Sequence, residues 1–302
     1  ESLGGTTRRR TVIARRCAWL HSRSMHANSL ALAAIALWAS LAALGVSLSH
    51  VPPFLLTGIA LLIGSLIALP LSRFDYLQWR VPLPTLALGI YGLFGFHFLL
   101  FIALRFAPPV EANLVNYLWP LGIVLMAPLF LPGVKLNATH LIAACAGFAG
   151  AALAIAGGRT LSGEFAWGYI PAAGSAFIWA SYSLLTKRVP HFPTAAIGSF
   201  AAVSGVLSLL CHFALEPRVH LSAQDWTLLV VMGLGPLGAA FFLWDAALKR
   251  GDPRHIGLLS FITPLASTLT LLLVRGQMPT WHVLAAAVLI IGGAVWGSRA
   301  RA

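Results

Sequence analysis

The residues best placed for chemistry in this sequence are one histidine, a set of aromatic rings and a few carboxamides, and the chemistry they offer is non-covalent. His97 stands about 15 residues into an apolar run, away from the basic loops, which makes it the strongest candidate for an ionisable group inside a membrane. It suits a contact with a solute or a proton, and equally a hydrogen bond between helices. Asn113, Asn116, Tyr117 and Pro120 follow i, i+3, i+4, i+7 spacing and share one helix face. Lipid does not solvate carboxamides, so that face is expected to point inward. Ser175, Trp179, Tyr182 and Thr186 share a face in a later run. Trp38, Trp119, Trp179 and Tyr182 lie deep in their runs, whereas Trp226 and Trp281 stand near helix starts and suit an interfacial belt. With Ser260, Phe261 and Thr263, these residues predict an aromatic cavity carrying scattered hydrogen-bonding groups, as a small amphipathic ligand requires. Core packing is the competing role for each ring.

Bond-making chemistry finds no support. There is no HExxH, no GxSxG and no two membrane-buried carboxylates, since none lies near the midpoint of a run, which leaves an intramembrane enzyme as a distant alternative. Cys17, Cys145 and Cys211 form no CxxC, so no disulfide framework, metal site or cofactor is expected. Charged rings or a carbonyl filter motif, which a channel requires, are likewise not evident.

The elements that position these residues are membrane helices. The 302 residues are 59% hydrophobic and only 9% charged, with a mean hydropathy of +0.85. So little charge cannot cover soluble domains, which carry about a quarter charged residues. Ten apolar runs occur at roughly 29–49, 54–72, 82–106, 109–131, 138–157, 164–187, 194–215, 224–250, 253–274 and 280–298. Each is close to the ~20 residues a helix needs to cross the hydrocarbon core, and none alternates as a barrel strand does. The formal charge of +12 would suggest nucleic acid in a soluble protein; here the basic residues sit in the N-terminal segment and in short loops. No nucleic-acid partner is expected. With both termini in the cytoplasm, 16 Lys and Arg fall on the inner side and 4 on the outer, the bias that sets topology.

Aligning residues 89–121 with 233–265, an offset of 144, gives ten identities in 33 positions, against about three expected by chance in a chain this rich in Leu, Ala and Gly. They include Gly89/Gly233, Ala103/Ala247, Leu104/Leu248, Pro109/Pro253 and Pro120/Pro264, with Arg105/Lys249 and Tyr117/Phe261 conservative. Trp38-Ala39-Ser40 recurs as Trp179-Ala180-Ser181 at an offset of 141. A five-helix unit, being odd, must enter its second copy from the opposite face. The expected fold is therefore an all-α integral membrane protein of ten transmembrane helices in two inverted five-helix repeats, with both termini inside. Residues 1–27 read as a basic cytoplasmic tail, 28–158 as the first repeat, and 159–302 as the second repeat with a short C-terminal tail. Such inverted pairs are typical of secondary transporters, with the solute site near the midplane between the halves.

This 5+5 layout and the run PPVEANLVNYLWP at 108–120 resemble the EamA branch of the drug/metabolite transporter superfamily. The resemblance covers nearly all of 28–298, but only the 108–120 run is specific. It implies a multi-pass inner-membrane exporter of aromatic and other neutral amino acids, working by alternating access through a central cavity. A drug, metabolite or nucleotide-sugar transporter of the same fold is the alternative. The small multidrug branch keeps a Glu in its first helix; 29–49 contains none, so that branch's proton-exchange mechanism is not implied.

The pathway residues are then His97, Tyr117, Trp119, Asn113, Asn116, Trp38, Trp179, Tyr182 and Ser260. Pro120 and Pro264 are paired hinge candidates, since proline removes a helix hydrogen bond and frees a carbonyl. Glu111, in the first turn of the fourth run, suits the helix dipole, and Arg105 is its expected partner across Pro108-Pro109; the two are gate candidates. Asp245 precedes Lys249 by four residues, the spacing of a local ion pair. Gly293 and Gly297 form a lone GxxxG, a weak signal for a dimer, so a monomer or weak dimer in the bilayer is expected.

Overall fold

Apolar runs bounded by Pro, Gly and short polar loops leave the backbone no hydrogen-bond partners in lipid except its own, and helices follow. The computed structural model describes residues 26–157, 161 and 163–298, and among them every regular element is helical. Eight rods are long and apolar enough to cross a membrane: α1 (His26–Ser47), α2 (Pro53–Leu71), α3 (Leu83–Phe106), α4 (Pro109–Phe130), α5 (Ala138–Ala156), α7 (Thr194–Leu215), α8 (Ala223–Arg250) and α9 (Pro253–Val274). Two further apolar helices, α6 (Tyr169–Leu185) and α10 (Trp281–Ser298), are 17 and 18 residues long. Of the expected basic tail, residues 1–25 lie outside the described residues, and His26 and Ala27 already belong to α1.

Proline starts several rods, where its missing amide costs nothing: Pro53, Pro109 and Pro253 each hold the first helical position. Asp252 caps α9 by accepting from the Arg254 amide (2.8 Å) while Arg254 folds back onto its carboxylate (2.6 Å). Burial opposes ionisation of Asp252, yet these hydrogen bonds hold its carboxyl below the usual carboxylate range.

The rods are broken at matched places. A π-helical turn interrupts α3 at Tyr91–Gly95 and α8 at Gly235–Ala239. The α4 rod breaks at Tyr117 and α9 at Phe261. Both pairs are separated by 144 residues, the offset of the sequence repeat. The second pair has a direct cause. Pro120 and Pro264 cannot supply the amide that the carbonyl four residues back, on Asn116 or Ser260, would accept, and their rings crowd it. The bend accordingly falls one turn upstream of each proline.

Close crossings use glycine. A Cβ on Gly64 would lie 2.7 Å from the Gly233 carbonyl oxygen, and one on Gly233 would lie 2.7 Å from that of Ala60, so α2 and α8 meet backbone to backbone. The Gly293/Gly297 stripe of α10 is spent inside the chain rather than on a partner copy: its added Cβ atoms would meet Ala143 and Leu258 at 2.5–2.9 Å.

Contacts at the two ends of α7 fix relative directions. Glu216, just past its C-terminus, touches the start of α2 at Phe54 and the end of α3 at Arg105. Thr194, at its N-terminus, touches the end of α8 at Lys249. The 22 residues of α7 put those ends about 33 Å apart. The matched rods α3 and α8 therefore run in opposite senses.

Candidate functional site

The bends and π turns surround a cavity of about 460 Å³ lined from α1, α2, α3, α4, α6, α8 and α9. Its mouth lies toward the Arg105 end, among Gly45, Leu56, Leu104 and Asn113; its floor is a tryptophan cluster. Trp38, Trp119 and Trp179 line the floor and Trp244 stands behind them; the four, each from a different rod, have ring centroids 5.2–6.4 Å apart in all six pairings. Most pairs are edge-on or tilted, the arrangements ring quadrupoles favour. Indole N–H groups need acceptors when buried. Trp38 donates to the Pro236 carbonyl in the π turn of α8 (3.1 Å) and Trp244 to the Ser183 hydroxyl (3.2 Å).

Polar groups ring the wall above this floor. The hydrogen bond expected of His97 runs to its own helix rather than to a neighbour, from Nδ1 to the Leu93 carbonyl inside the π turn (2.6 Å). A carbonyl only accepts, so Nδ1 carries a hydrogen and Nε2 is the acceptor of the uncharged ring. Phe96, Phe101 and Phe241 surround the imidazole with centroids 5.1–6.2 Å away. Asn113, Asn116 and Tyr117 all line the cavity. Asn116 is held by Ser175 of α6 at 2.8 Å. Thr263 lines the cavity at 5% exposure, and its hydroxyl has no partner in the protein. An orphaned buried hydroxyl costs about 1–3 kcal/mol, which a bound solute would offset. Among the described residues, no Asp, Glu, Lys or Arg lines the space.

Seven of the nine expected pathway residues meet here: Trp38, His97, Asn113, Asn116, Tyr117, Trp119 and Trp179. Tyr182 does not reach the cavity. It lies beneath Trp179 (5.3 Å between centroids) and over Gly92, where a Cβ would come within 2.4 Å of its ring. Ser260 does not reach it either, because its hydroxyl turns back to the Gly257 carbonyl (2.6 Å) at the α9 bend and is fully buried. The expected Arg105–Glu111 pair is not formed. Glu111 accepts from the Tyr169 hydroxyl, and Arg105 pairs with Glu216 (3.3 Å). Pro108-Pro109 lets the chain turn so that the two side chains leave different rods in different directions. The Asp245–Lys249 pair does form, at 2.6 Å.

Phe241, Trp244 and Glu216 were not singled out by residue type. Phe241 carried a legible signal, since it is the repeat equivalent of His97 at the 144 offset. Glu216 looks like an ordinary loop residue beside Pro217 and Arg218, and only the fold buries its carboxylate.

A model of the EamA-like transporter family matches residues 25–156 and 166–298. The chain is 42% identical over 274 residues to the aromatic amino acid exporter YddG of Ancylobacter novellus, covering 89% of this chain and 95% of that protein. It is 31% identical over 299 residues to the probable amino-acid metabolite efflux pump of Salmonella typhimurium, covering 90% and 95%. A solved crystal structure shares 40% identity with a TM-score of 0.83, covering 91% of this chain and 98% of that one.

Proposed function

We propose that this chain, which belongs to the EamA-like transporter family, exports aromatic and other neutral amino acids across the bacterial inner membrane. That it is a multi-pass inner-membrane transporter and not an enzyme follows from the family and the apolar rods; the solute and the mechanism are the proposal. One observation carries it: a cavity of about 460 Å³ with an indole floor, a collar of uncharged hydrogen-bonding groups and no fixed charge. That volume lies in the usual small-molecule range of roughly 300–1,000 Å³. Indole and phenyl side chains stack on the floor, while the collar meets both ends of a zwitterion. A nucleotide sugar brings phosphate charges that no cation in the lining would meet. The names of the two relatives above favour the same solute class.

In this reading α1–α5 (28–158) and α6–α10 (159–302) are inverted repeats of ten spans with both termini in the cytoplasm, and the Arg105 end faces outward. The bends before Pro120 and Pro264 act as hinges through which the halves exchange access. Among the described residues no carboxylate lines the cavity to carry a coupling proton, which favours exit down the solute gradient. The protein works as a monomer or weak dimer in the bilayer.

The test is release of preloaded tryptophan or phenylalanine from liposomes. Protein-containing liposomes should release either faster than empty ones, and Trp119→Ala should slow release while the protein still reaches the membrane. Equal release with and without protein refutes the proposal.

A further inference from the structure

Arg105 and Lys249 occupy equivalent positions at the ends of α3 and α8, yet their surroundings differ. Lys249 stands over the Phe192 ring (3.7 Å), donates to the Phe192 carbonyl (2.8 Å) and pairs with Asp245, which also accepts from the Thr194 hydroxyl (2.7 Å). The end of α8 is thereby drawn onto the start of α7. Leu248 beside it is 1% exposed. At the other end Leu104, the repeat equivalent of Leu248, lines the cavity mouth and is 36% exposed. The same rod end is sealed on one side and open on the other.

What holds the open side is Glu216. Its carboxylate, 1% exposed, accepts from the Phe54 amide (3.0 Å), the Leu55 amide (3.2 Å) and Arg105 (3.3 Å), and contacts His212 Nδ1 (3.0 Å). It caps α2 and ties α2 and α3, both part of the mouth, to the end of α7. Near the end of α2 the acidic residue is Asp75, 141 positions earlier, the offset that relates Trp38 to Trp179; the 144 offset of α3 and α8 falls on Ser72. Asp75 is exposed and bonds only locally, accepting from the Leu77 amide (3.0 Å) and Gln78 (3.4 Å). An acidic residue thus follows both α7 and α2, engaged with other rods where the cavity opens and bonded only locally where it is sealed.

We propose that Glu216 is the positioning residue that latches the cavity mouth open, and that it must release Phe54, Leu55 and Arg105 for the mouth to close. Arg105 already stands over the Phe54 ring at 5.8 Å, and closure then draws it tighter onto the start of α2, as Lys249 stands over Phe192 at 3.7 Å beside the start of α7. The inference rests on the alternating-access reading above. It moves the outer gate from Glu111 to Glu216.

The latch is tested by thiol labelling in nanodiscs, where both faces are accessible. In a background with Cys17, Cys145 and Cys211 replaced by Ser, Leu104→Cys and Leu248→Cys are labelled separately with a water-soluble maleimide. Leu104→Cys should react quickly and Leu248→Cys slowly. Adding Glu216→Gln should slow the first and speed the second, each by about tenfold or more, since charge-assisted hydrogen bonds are lost from one state only. Arg105→Gln, on the more exposed side of the same contact, should move both rates the same way by a smaller factor and serves if Glu216→Gln does not fold. Unchanged rates at both positions in a folded variant overturn the latch. Tryptophan release by the parent protein separates the two claims. Release with unchanged labelling sinks the latch alone; shifted labelling without release sinks the exporter reading and leaves the latch standing.

Discussion

Replacing His97 by Phe tests how the cavity meets a solute's ammonium group. Because the Leu93 carbonyl holds Nδ1 as the donor at 2.6 Å, the uncharged ring offers the cavity only the acceptor at Nε2. A hydrogen bond from an ammonium to that nitrogen is charge-assisted and contributes about 1.5–3 kcal/mol. At roughly 1.4 kcal/mol per factor of ten, its loss weakens tryptophan binding by about 10–150-fold. Shape should be tolerated, since the repeat equivalent of His97 is Phe241 and the site is already walled by Phe96, Phe101 and Phe241. The Leu93 carbonyl loses a side-chain partner, so a stability loss near 1 kcal/mol accompanies the change. The assay is displacement of labelled tryptophan from the protein in nanodiscs, by tryptophan and by 3-(indol-3-yl)propionate, which keeps the ring and carboxylate but has no ammonium. His97→Phe should cost tryptophan its tenfold or more and leave the propionate nearly unchanged. An equal loss for both ligands, or none for tryptophan, refutes the assignment of Nε2 to the ammonium.

Three further outcomes follow from the geometry. Thr263→Val removes the orphaned hydroxyl, so the melting temperature should stay level or rise while tryptophan affinity falls severalfold, a combination that thermal unfolding and binding measured together would reveal. Gly92→Val places atoms within the 2.4 Å gap to the Tyr182 ring and should cost about 1–3 kcal/mol, read as a lower melting temperature in detergent. Asp252→Asn keeps a capping side chain but loses the ion pair with Arg254, which lowers stability by up to about 1 kcal/mol at neutral pH. Because the folded carboxyl is held below the ordinary value, its contribution is present above pH 3.8 and disappears as the pH falls through the lower folded value; the variant's melting temperature should converge on the parent's there.

Much of the architecture was legible because lipid imposes a simple rule on sequence: about 20 apolar residues per crossing and no unpaired backbone. The run boundaries, the 144-residue repeat and the proline pair all follow from the chain alone, and the structure places its π turns and bends at the same offset. Helical spacing also placed Asn113, Asn116 and Tyr117 correctly on one inward face, because i, i+3 and i+4 neighbours share a face in any helix. The same logic failed for Tyr182 and Ser260. Both do face inward, but inward on a bundle can mean toward a cavity or toward another rod. Gly92 gives Tyr182 room to pack, and the α9 bend turns the Ser260 hydroxyl back on its own helix.

Charge pairing was the least readable. Local spacing correctly paired Asp245 with Lys249, four residues apart on one helix. The partner of Arg105 proved to be Glu216, 111 residues away, rather than nearby Glu111. The chain's own pattern thus determines where each rod lies and which residues share its faces, since both depend on burial and on periods of a few residues. Which rod ends meet, which carboxylate is buried between them and which end of the cavity stands open depend on how whole rods cross. Those crossings are settled by contacts such as Gly64 on Gly233, between residues far apart in the chain, and only the tertiary structure brings them together.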